Sequence, residues 1–138
     1  MRVTRRYRFS ASHRLHTPSL TEVENSDLYG KCNNPYGHGH DYVLEVSVRG
    51  KVDEETGRVV SPGKLDSYVR AEVLAVLDHR DMNLDVPEFA RLVPTTENLA
   101  IVVNGRLREK WDQQFPEAVL DGVRLEETKR NYFELRNR

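Results

Sequence analysis

The chain has 138 residues, a length that suits a single folded domain, and we treat residues 1–138 as one domain. Its 21 Lys and Arg residues nearly balance 22 Asp and Glu residues, so the formal net charge is −1. This balance argues against a general nucleic-acid binder or a polybasic membrane protein, because both need a charge field of one sign. The single cysteine excludes an intrachain disulfide and any zinc site built on two thiolates, so a metal would need histidine and carboxylate ligands.

The N-terminus and the hydropathy of the chain bear on its location. The first charged residues are not followed by an apolar run, so they do not resemble a secretory signal. No stretch approaches the roughly 18 apolar residues that a membrane-spanning helix requires. We therefore expect a soluble protein, and a cytoplasmic one, because a lone free thiol suits a reducing compartment.

The first sixty residues predict strands separated by irregular chain. Residues 1–13 alternate between apolar and polar positions, which is typical of a strand. Residues 14–37 contain prolines and glycines and are expected to be irregular. Residues 38–50 show the clearest strand alternation, and after a turn residues 58–60 are expected to return as a short strand.

The hydrophobic period changes from two to 3.6 in the middle of the chain. Apolar residues from Leu65 to Leu77 follow the spacing of an amphipathic helix. A threonine after Pro94 is a good N-cap for a second helix, whose apolar stripe ends at Trp111. Residues 119–125 and 132–135 then predict two closing strands.

The order of these elements, ββααββ, predicts an α+β domain. Two helices inserted between two antiparallel strand pairs favour a four-stranded antiparallel sheet with both helices on one face. Such a thin domain leaves sheet edges exposed, and association would have to cover them. We therefore expect an oligomer from the fold alone.

Three histidines are predicted to meet at the end of this sheet. His38 and His40 stand two residues apart on a strand, so both point to its buried face. His13 has the apolar parity of the first strand, and pairing of the two strands would assemble the ligand set of an open catalytic zinc site. The alternative is a polar strand end, which a third in-phase histidine makes the weaker interpretation. His16 falls outside both strands and is expected at the surface.

Cys32 has two interpretations. A lone cysteine is more often a small buried hydrophobe than a nucleophile or base. Cys32, however, lies in a loop of Gly, Lys, Asn and Pro residues, where no core is expected. Lys31 beside it and a cation at the histidines would both favour the thiolate, so a catalytic thiol is the better interpretation.

Two further acidic positions remain open to more than one interpretation. Asp78 and His79 end the first helix, where the histidine could interact with the helix dipole or form a carboxylate-supported proton relay. Glu127 shares the parity of Leu125 and therefore falls on the apolar face. An acid there needs hydrogen-bond donors, such as the paired N–H groups of a heterocycle, unless the strand simply frays.

Five motifs make the chain resemble a known family, the 6-pyruvoyl tetrahydropterin synthases. The motifs span Phe9–Leu15, Gly30–His40, Leu77–His79, Pro94–Asn98 and Glu127–Thr128. The most specific of them is a cysteine followed after five residues by His-x-His, with Ser-His-Arg upstream. The resemblance runs from about Arg6 to Thr128, which is nearly the whole chain.

The resemblance implies an architecture and a catalytic centre. The architecture is the T-fold (tunnelling fold), in which ββααββ chains form trimers whose sheets close a barrel, and two trimers stack into a hexamer. Zinc would be bound by three residues, His13, His38 and His40. Cys32 would be the catalytic base or acid, and Asp78 and His79 would reach it from a neighbouring subunit to complete the proton relay.

The resemblance also implies a substrate, 7,8-dihydroneopterin triphosphate. Glu127 would anchor the pterin ring, aided by Thr95 and Thr96, while Arg14 and Lys31 are candidates for triphosphate contacts. The product would be 6-pyruvoyl tetrahydropterin, formed with loss of triphosphate and without a redox cofactor. No nucleic acid or membrane partner is expected.

Three other functions compete with this one. The nearest is formation of 6-carboxy-tetrahydropterin for queuosine biosynthesis from the same substrate, although in that group the cysteine usually stands closer to the His-x-His pair. The second is retro-aldol cleavage of a dihydroneopterin side chain. The relatives that this function resembles carry an acid in place of the cysteine, so Cys32 argues against it. A non-catalytic metal- or pterin-binding protein would keep the histidines and Glu127 but would have no use for Cys32, Asp78 and His79 together.

Overall fold

The computed structural model describes all 138 residues and contains one five-stranded mixed sheet. The strands are β1 (Arg2–His13), β2 (His38–Gly50), β3 (Arg80–Asp81), β4 (Ala118–Thr128) and β5 (Asn131–Arg136). Their order across the sheet is β3-β1-β2-β4-β5, and every pair is antiparallel except β3 with β1, which is parallel. The α+β class and the four long strands are confirmed.

The predicted sheet of four antiparallel strands is wrong in one respect, because β3 adds a fifth, parallel strand. The backbone N–H of His79 donates to the carbonyl of Ser10 over 2.6 Å, and the N–H of Ser10 donates to Asp78 Oδ1 over 2.9 Å. These contacts draw the chain leaving the helix alongside β1. A strand of two residues is too short to show alternation, so the sequence carries no periodic signal for it.

Six helices accompany the sheet, and those that contribute to the hydrophobic core lie against one of its faces. The six are α1 (Glu22–Tyr29), α2 (Pro62–Val69), α3 (Ala75–Leu77), α4 (Met82–Asp85), α5 (Thr96–Glu109) and α6 (Trp111–Gln114). A π-helical turn over Arg70–Leu74 joins α2 to α3, so the first predicted helix is confirmed as one interrupted helix. The second is confirmed as α5, which Thr95 caps by accepting from the N–H of Asn98.

Helix α1 lies in the segment that was predicted to be irregular. Its start is a capping box, in which Thr21 accepts from the N–H of Glu24 and the Glu24 side chain accepts from the N–H of Thr21. Asn25 is its only buried residue, so the helix lacks the apolar stripe that periodicity detects. The Thr-x-x-Glu spacing was the available signal.

The short strand expected at residues 58–60 is also absent. Val59 and Val60 are buried in the core, but their backbone pairs with no strand. The N–H of Asp53 donates to the carbonyl of Arg58 across the turn, and Ser61 then caps α2. The apolar side chains were recognised correctly, but the start of α2 leaves no room for a strand.

The core lies between one face of the sheet and the helices. The β2 residues Tyr42, Leu44, Val46 and Val48 are fully buried and face helix residues such as Leu99 and Leu107, which are buried as well. The parity that buries Tyr42 carries His40 and His13 to the end of this same face. No helix in the structure is long and apolar enough to cross a bilayer.

Candidate metal centre and active site

Four potential metal ligands converge where β1 ends and β2 begins. The ligand atoms of His13, Cys32, His38 and His40 all lie within 4.8 Å of one another. The register of the two strands explains the convergence, since His13 pairs with His38, and His40 pairs with Ala11 two positions away. The predicted meeting of the three imidazoles is confirmed as geometry.

His13 is the most deeply placed of these residues. Its ring is fully buried, and Nδ1 donates to the carbonyl of Pro94 over 2.8 Å, which leaves Nε2 without a proton and facing His40 Nε2 at 3.2 Å. The pKa of His13 is lowered to about 4, mainly by burial; the neighbouring imidazoles act in the same direction, and the hydrogen bond to Pro94 opposes them. His13 is therefore neutral near pH 7, the state in which imidazole binds metals.

The four ligand atoms lie close enough together to surround one metal ion. Donors that lie roughly 2.0–2.3 Å from zinc stand about 3.3–3.7 Å apart across a tetrahedron. The Nε2 atoms of His13 and His40 are 3.2 Å apart, close to this separation, whereas Cys32 Sγ lies only 2.9 Å from His38 Nε2, which is nearer than two ligands of one ion stand. Imidazole nitrogen and cysteine sulfur are ligands that zinc prefers in proteins. The residues present therefore fit a bound metal ion.

Cys32 reaches this cluster from outside the sheet, on a 3₁₀ turn over Gly30–Asn33. The side chain is half-buried, and burial raises the pKa of the thiol, with the negative charge of Glu127 raising it further. Lys31 is exposed and does not offset this effect. The chain alone therefore keeps Cys32 as a thiol at neutral pH, contrary to the expectation that Lys31 would favour the thiolate.

Glu127 faces the same imidazoles. Its Oε1 lies 3.1 Å from His40 Nε2 and 3.9 Å from His13 Nε2, so the predicted inward parity is confirmed. Below it, Tyr42 is fully buried and its hydroxyl has no hydrogen-bond partner. The carboxylate therefore lies beside the imidazole nitrogens of the cluster, where it can accept a hydrogen bond from a bound molecule.

Asp78 and His79 lie at the edge of the sheet, apart from the four-ligand cluster. His79 Nδ1 is 3.1 Å from Asp78 Oδ1, and the imidazole is 82% exposed. His79 has a φ of 59°, an unusual backbone conformation for a residue with a side chain. A cleft of about 560 Å³ along this edge is lined by His79 and His40 among others, but within one chain the pair contacts neither Cys32 nor the imidazoles.

The structure places the remaining predicted substrate residues around this region. Thr95 caps α5, and the hydroxyl of Thr96 is buried without a partner. Arg14 donates from Nε to the carbonyl of Asn33 over 3.2 Å, and Lys31 forms no ion pair. The hydroxyl of Thr96 therefore has no hydrogen-bond partner, and the ammonium group of Lys31 has no ion-pair partner.

His16 is not the surface residue that was expected. It is half-buried, and its Nδ1 accepts from Asn33 Nδ2 over 3.2 Å. Two further contacts were not predicted from the sequence: the Pro94 carbonyl orients His13, and the Asn33 side chain donates to the carbonyl of Leu15. No sequence pattern predicts these hydrogen bonds, because they join segments that are distant in the sequence.

Comparison with known proteins decides the family. The family model described as 6-pyruvoyl tetrahydropterin synthase matches residues 2–138. The chain belongs to the 6-pyruvoyl tetrahydropterin synthase family. It is 44% identical over 132 residues to the 6-pyruvoyl tetrahydrobiopterin synthase of Poecilia reticulata, covering 94% of this chain and 85% of that protein. The human protein of the same name is 43% identical, covering 94% and 86%.

Solved structures of the synthase family show the same fold. The Caenorhabditis elegans 6-pyruvoyl tetrahydropterin synthase superposes with a TM-score of 0.91 at 40% identity, over 100% of this chain and 96% of that one. Relatives with other names match over about half of the chain. A dihydroneopterin monophosphate aldolase of Pyrococcus furiosus covers 52% of it, and a provisionally named 6-carboxy-5,6,7,8-tetrahydropterin synthase of Archaeoglobus fulgidus covers 53%.

Proposed function

We propose that this protein is a zinc-dependent lyase that converts 7,8-dihydroneopterin triphosphate to 6-pyruvoyl tetrahydropterin with loss of triphosphate. The observation that carries the proposal is the convergence of three imidazoles and the only thiol of the chain within 4.8 Å, in a member of the synthase family. We place the reaction in the cytoplasm, because the only cysteine is a catalytic one that must stay reduced.

The metal site of the proposal uses His13, His38 and His40. Zinc held by these residues would act as a Lewis acid, which would polarise the side-chain oxygens of the substrate and acidify the neighbouring C–H bonds. The chain contributes one nitrogen from each of three imidazoles, and the imidazole of His13 is held in its metal-binding tautomer by the Pro94 carbonyl.

Cys32 moves protons at the reacting carbons. It lies beside the cluster and is protonated in the chain alone, so an adjacent cation is what lowers its pKa toward the thiolate that acts as a base. An internal redox rearrangement requires that a proton removed from one carbon be returned to another, and Cys32 and His79 are the two groups suited to exchange it.

Asp78 and His79 serve this relay from a second subunit. The pair is exposed at the sheet edge next to β1, and Asp78 Oδ1 lies 3.1 Å from the imidazole Nδ1. A trimer whose sheets close a barrel would cover this edge and bring His79 of one subunit to Cys32 of the next. We propose the hexamer of two stacked trimers as the complete assembly, with active sites between subunits.

Substrate binding is assigned to polar groups around the cluster. Glu127 accepts hydrogen bonds from the pterin ring, and Thr95 and Thr96 at the start of α5 contribute hydroxyl groups, one of them buried and unpartnered. Lys31 and Arg14 interact with the triphosphate, since charge-assisted hydrogen bonds to phosphate need cations near the metal.

The second candidate is 6-carboxy-tetrahydropterin synthesis from the same substrate. Two observations favour the pyruvoyl product. The matches over 94% of the chain are to proteins named 6-pyruvoyl tetrahydrobiopterin synthase, whereas the carboxy-forming relative covers 53%. The five residues that separate Cys32 from His38 also resemble the pyruvoyl-forming branch.

The test is chromatographic identification of the product from 7,8-dihydroneopterin triphosphate, with Cys32→Ala as the matched variant. We expect 6-pyruvoyl tetrahydropterin from the wild type and a loss of about 10²–10⁴-fold in turnover in the variant. A carboxy product would assign the protein to the second candidate. Undiminished turnover in Cys32→Ala would remove the proton-transfer role, and a metal-loaded wild type without turnover would indicate a binding protein.

A further inference from the structure

The four ligand atoms of the cluster are held in two different ways. The three histidines stand on paired strands, whose ladder of backbone hydrogen bonds sets their positions. Cys32 stands on the 3₁₀ turn Gly30–Asn33, which pairs with no strand. The short distance between Cys32 Sγ and His38 must therefore be maintained by contacts that the turn makes elsewhere.

Those contacts converge on Asn33, the residue that follows Cys32. The backbone N–H of Leu15 donates to the carbonyl of Cys32 over 2.6 Å, and Asn33 Nδ2 donates to the carbonyl of Leu15 over 2.8 Å. Asn33 Nδ2 also donates to His16 Nδ1 over 3.2 Å, and the Asn33 carbonyl accepts from Arg14 Nε over 3.2 Å. Both backbone groups of Leu15 are thus engaged by two adjacent residues of the turn.

The segment that receives these bonds is itself fixed. It continues directly from His13, and the Asn83 side chain clamps it by accepting from the N–H of Arg14 over 2.7 Å and donating to the Arg14 carbonyl over 3.0 Å. Gly37 closes the loop with a φ of 73° at a point where an added Cβ would stand 3.0 Å from the carbonyl oxygen of His13. The turn is therefore fastened to the chain that follows a proposed metal ligand.

We propose that Asn33 is a positioning residue, which holds the Cys32 thiol beside the three imidazoles by tying the Cys32 turn to the segment Arg14–His16. The inference concerns the placement of the thiol, and only its effect on turnover rests on the proposed function. The Asn33 side chain contacts neither the thiol nor an imidazole of the cluster. Its loss should release Cys32 and leave the metal ligands in place.

The experiment compares Asn33→Ala with Asn34→Ala in the full-length protein. Asn34 is a matched control, since it is the same residue type in the same loop, is exposed, and makes with its side chain only a local bond to the N–H of Tyr36. The first readout is the rate of Cys32 alkylation by iodoacetamide after removal of metal with a chelator. We expect about a tenfold increase in Asn33→Ala, as for the loss of one or two structural hydrogen bonds, and no change in Asn34→Ala.

The second readout separates kcat from KM in the zinc-loaded protein. We expect kcat to fall roughly 10–100-fold in Asn33→Ala, because a misplaced proton-transfer group slows the chemical step, while KM stays within about twofold and zinc per chain is unchanged. Asn33→Gln, which keeps an amide donor, should recover part of kcat. Asn33→Asp keeps the side-chain volume but cannot donate to the Leu15 carbonyl. It should therefore show the same effects as Asn33→Ala, and it replaces the alanine variant in the experiment if that variant folds poorly.

Two results would overturn the inference. One is a rate of Cys32 alkylation in both Asn33→Ala and Asn33→Asp that equals the wild-type rate. The other is a loss of bound zinc that parallels the loss of kcat, which would show that Asn33 supports the whole site. If the wild type shows no turnover, the proposed function fails. The alkylation comparison does not require turnover, so it still decides whether Asn33 positions Cys32.

Discussion

The three-imidazole cluster and the Asp78–His79 pair differ in nearly every physical respect, although one reaction is assigned to both. The cluster is built on long paired strands, and its deepest ring, His13, is fully buried. The pair follows a helix, lies on the edge of a two-residue strand, and leaves His79 82% exposed. A metal centre needs fixed ligands, whereas a residue that serves a neighbouring subunit must lie at the surface of its own chain.

The largest loss of turnover is expected from a substitution in the three-imidazole cluster. His40→Ala removes a proposed metal ligand that faces His13 Nε2 at 3.2 Å, and we expect turnover to fall by about 10³-fold or more, because a bound metal would contribute several kcal/mol of transition-state stabilisation. Steady-state kinetics on zinc-supplemented protein measures the change. Activity within tenfold of the wild type would show that His40 does not support the chemistry.

For the exposed Asp78–His79 pair we predict a smaller loss of turnover, with the metal still bound. His79→Asn keeps a residue that tolerates the left-handed φ of 59° but removes the imidazole, so we expect kcat to fall about 10²-fold while the fold is unchanged. Kinetics and circular dichroism on the same preparation check both parts. An Asn variant with wild-type kcat would remove His79 from the relay.

Mixed oligomers sharpen the same prediction. When Cys32→Ala and His79→Asn chains are unfolded together in equal amounts and refolded, random assembly gives about a quarter of the sites an intact Cys32 and an intact His79 from different subunits. If the pair acts across a subunit boundary, about a quarter of wild-type activity should return. Absence of recovery in verified mixed oligomers would place the pair and the thiol in the same chain.

The burial of His13 also predicts a pH dependence of stability. Its pKa is lowered to about 4 from an ordinary value of 6.5, so between these values the unfolded chain binds a proton that the folded chain does not. The free energy of unfolding of the metal-free protein should therefore fall as pH decreases from 6.5 toward 4, by up to about 3 kcal/mol from this group. Urea unfolding across this range measures it.

His13→Gln is the control for that measurement. The variant cannot titrate at this position, so its stability should vary less between pH 6.5 and pH 4 than that of the wild type. An identical slope in the two proteins would show that acid sensitivity arises elsewhere.

The sequence was informative wherever strands carry the site. Alternation placed His13, His40 and Glu127 on the buried face, and the helical period located α5 and the interrupted helix before Asp78. The family resemblance was confirmed by the match over residues 2–138. These features could be predicted because strand parity and helix periodicity are local properties of the chain.

The features that escaped prediction depend on contacts between distant segments. Strand β3 exists because Asp78 and His79 bond to Ser10, and the Cys32 turn is held by Asn33 and Leu15. Lys31 was expected to favour the Cys32 thiolate, but burial of the thiol outweighs it. No local pattern encodes these effects, because each depends on how the folded chain brings remote groups together.

The most direct test of the metal centre is the zinc content of three preparations, the wild type, His40→Ala and His79→Asn, measured by mass spectrometry after growth in zinc-supplemented medium. We predict about one zinc ion per chain in the wild type and in His79→Asn, and close to none in His40→Ala. A wild type that binds no zinc, or a His40→Ala variant that retains it fully, would contradict the account.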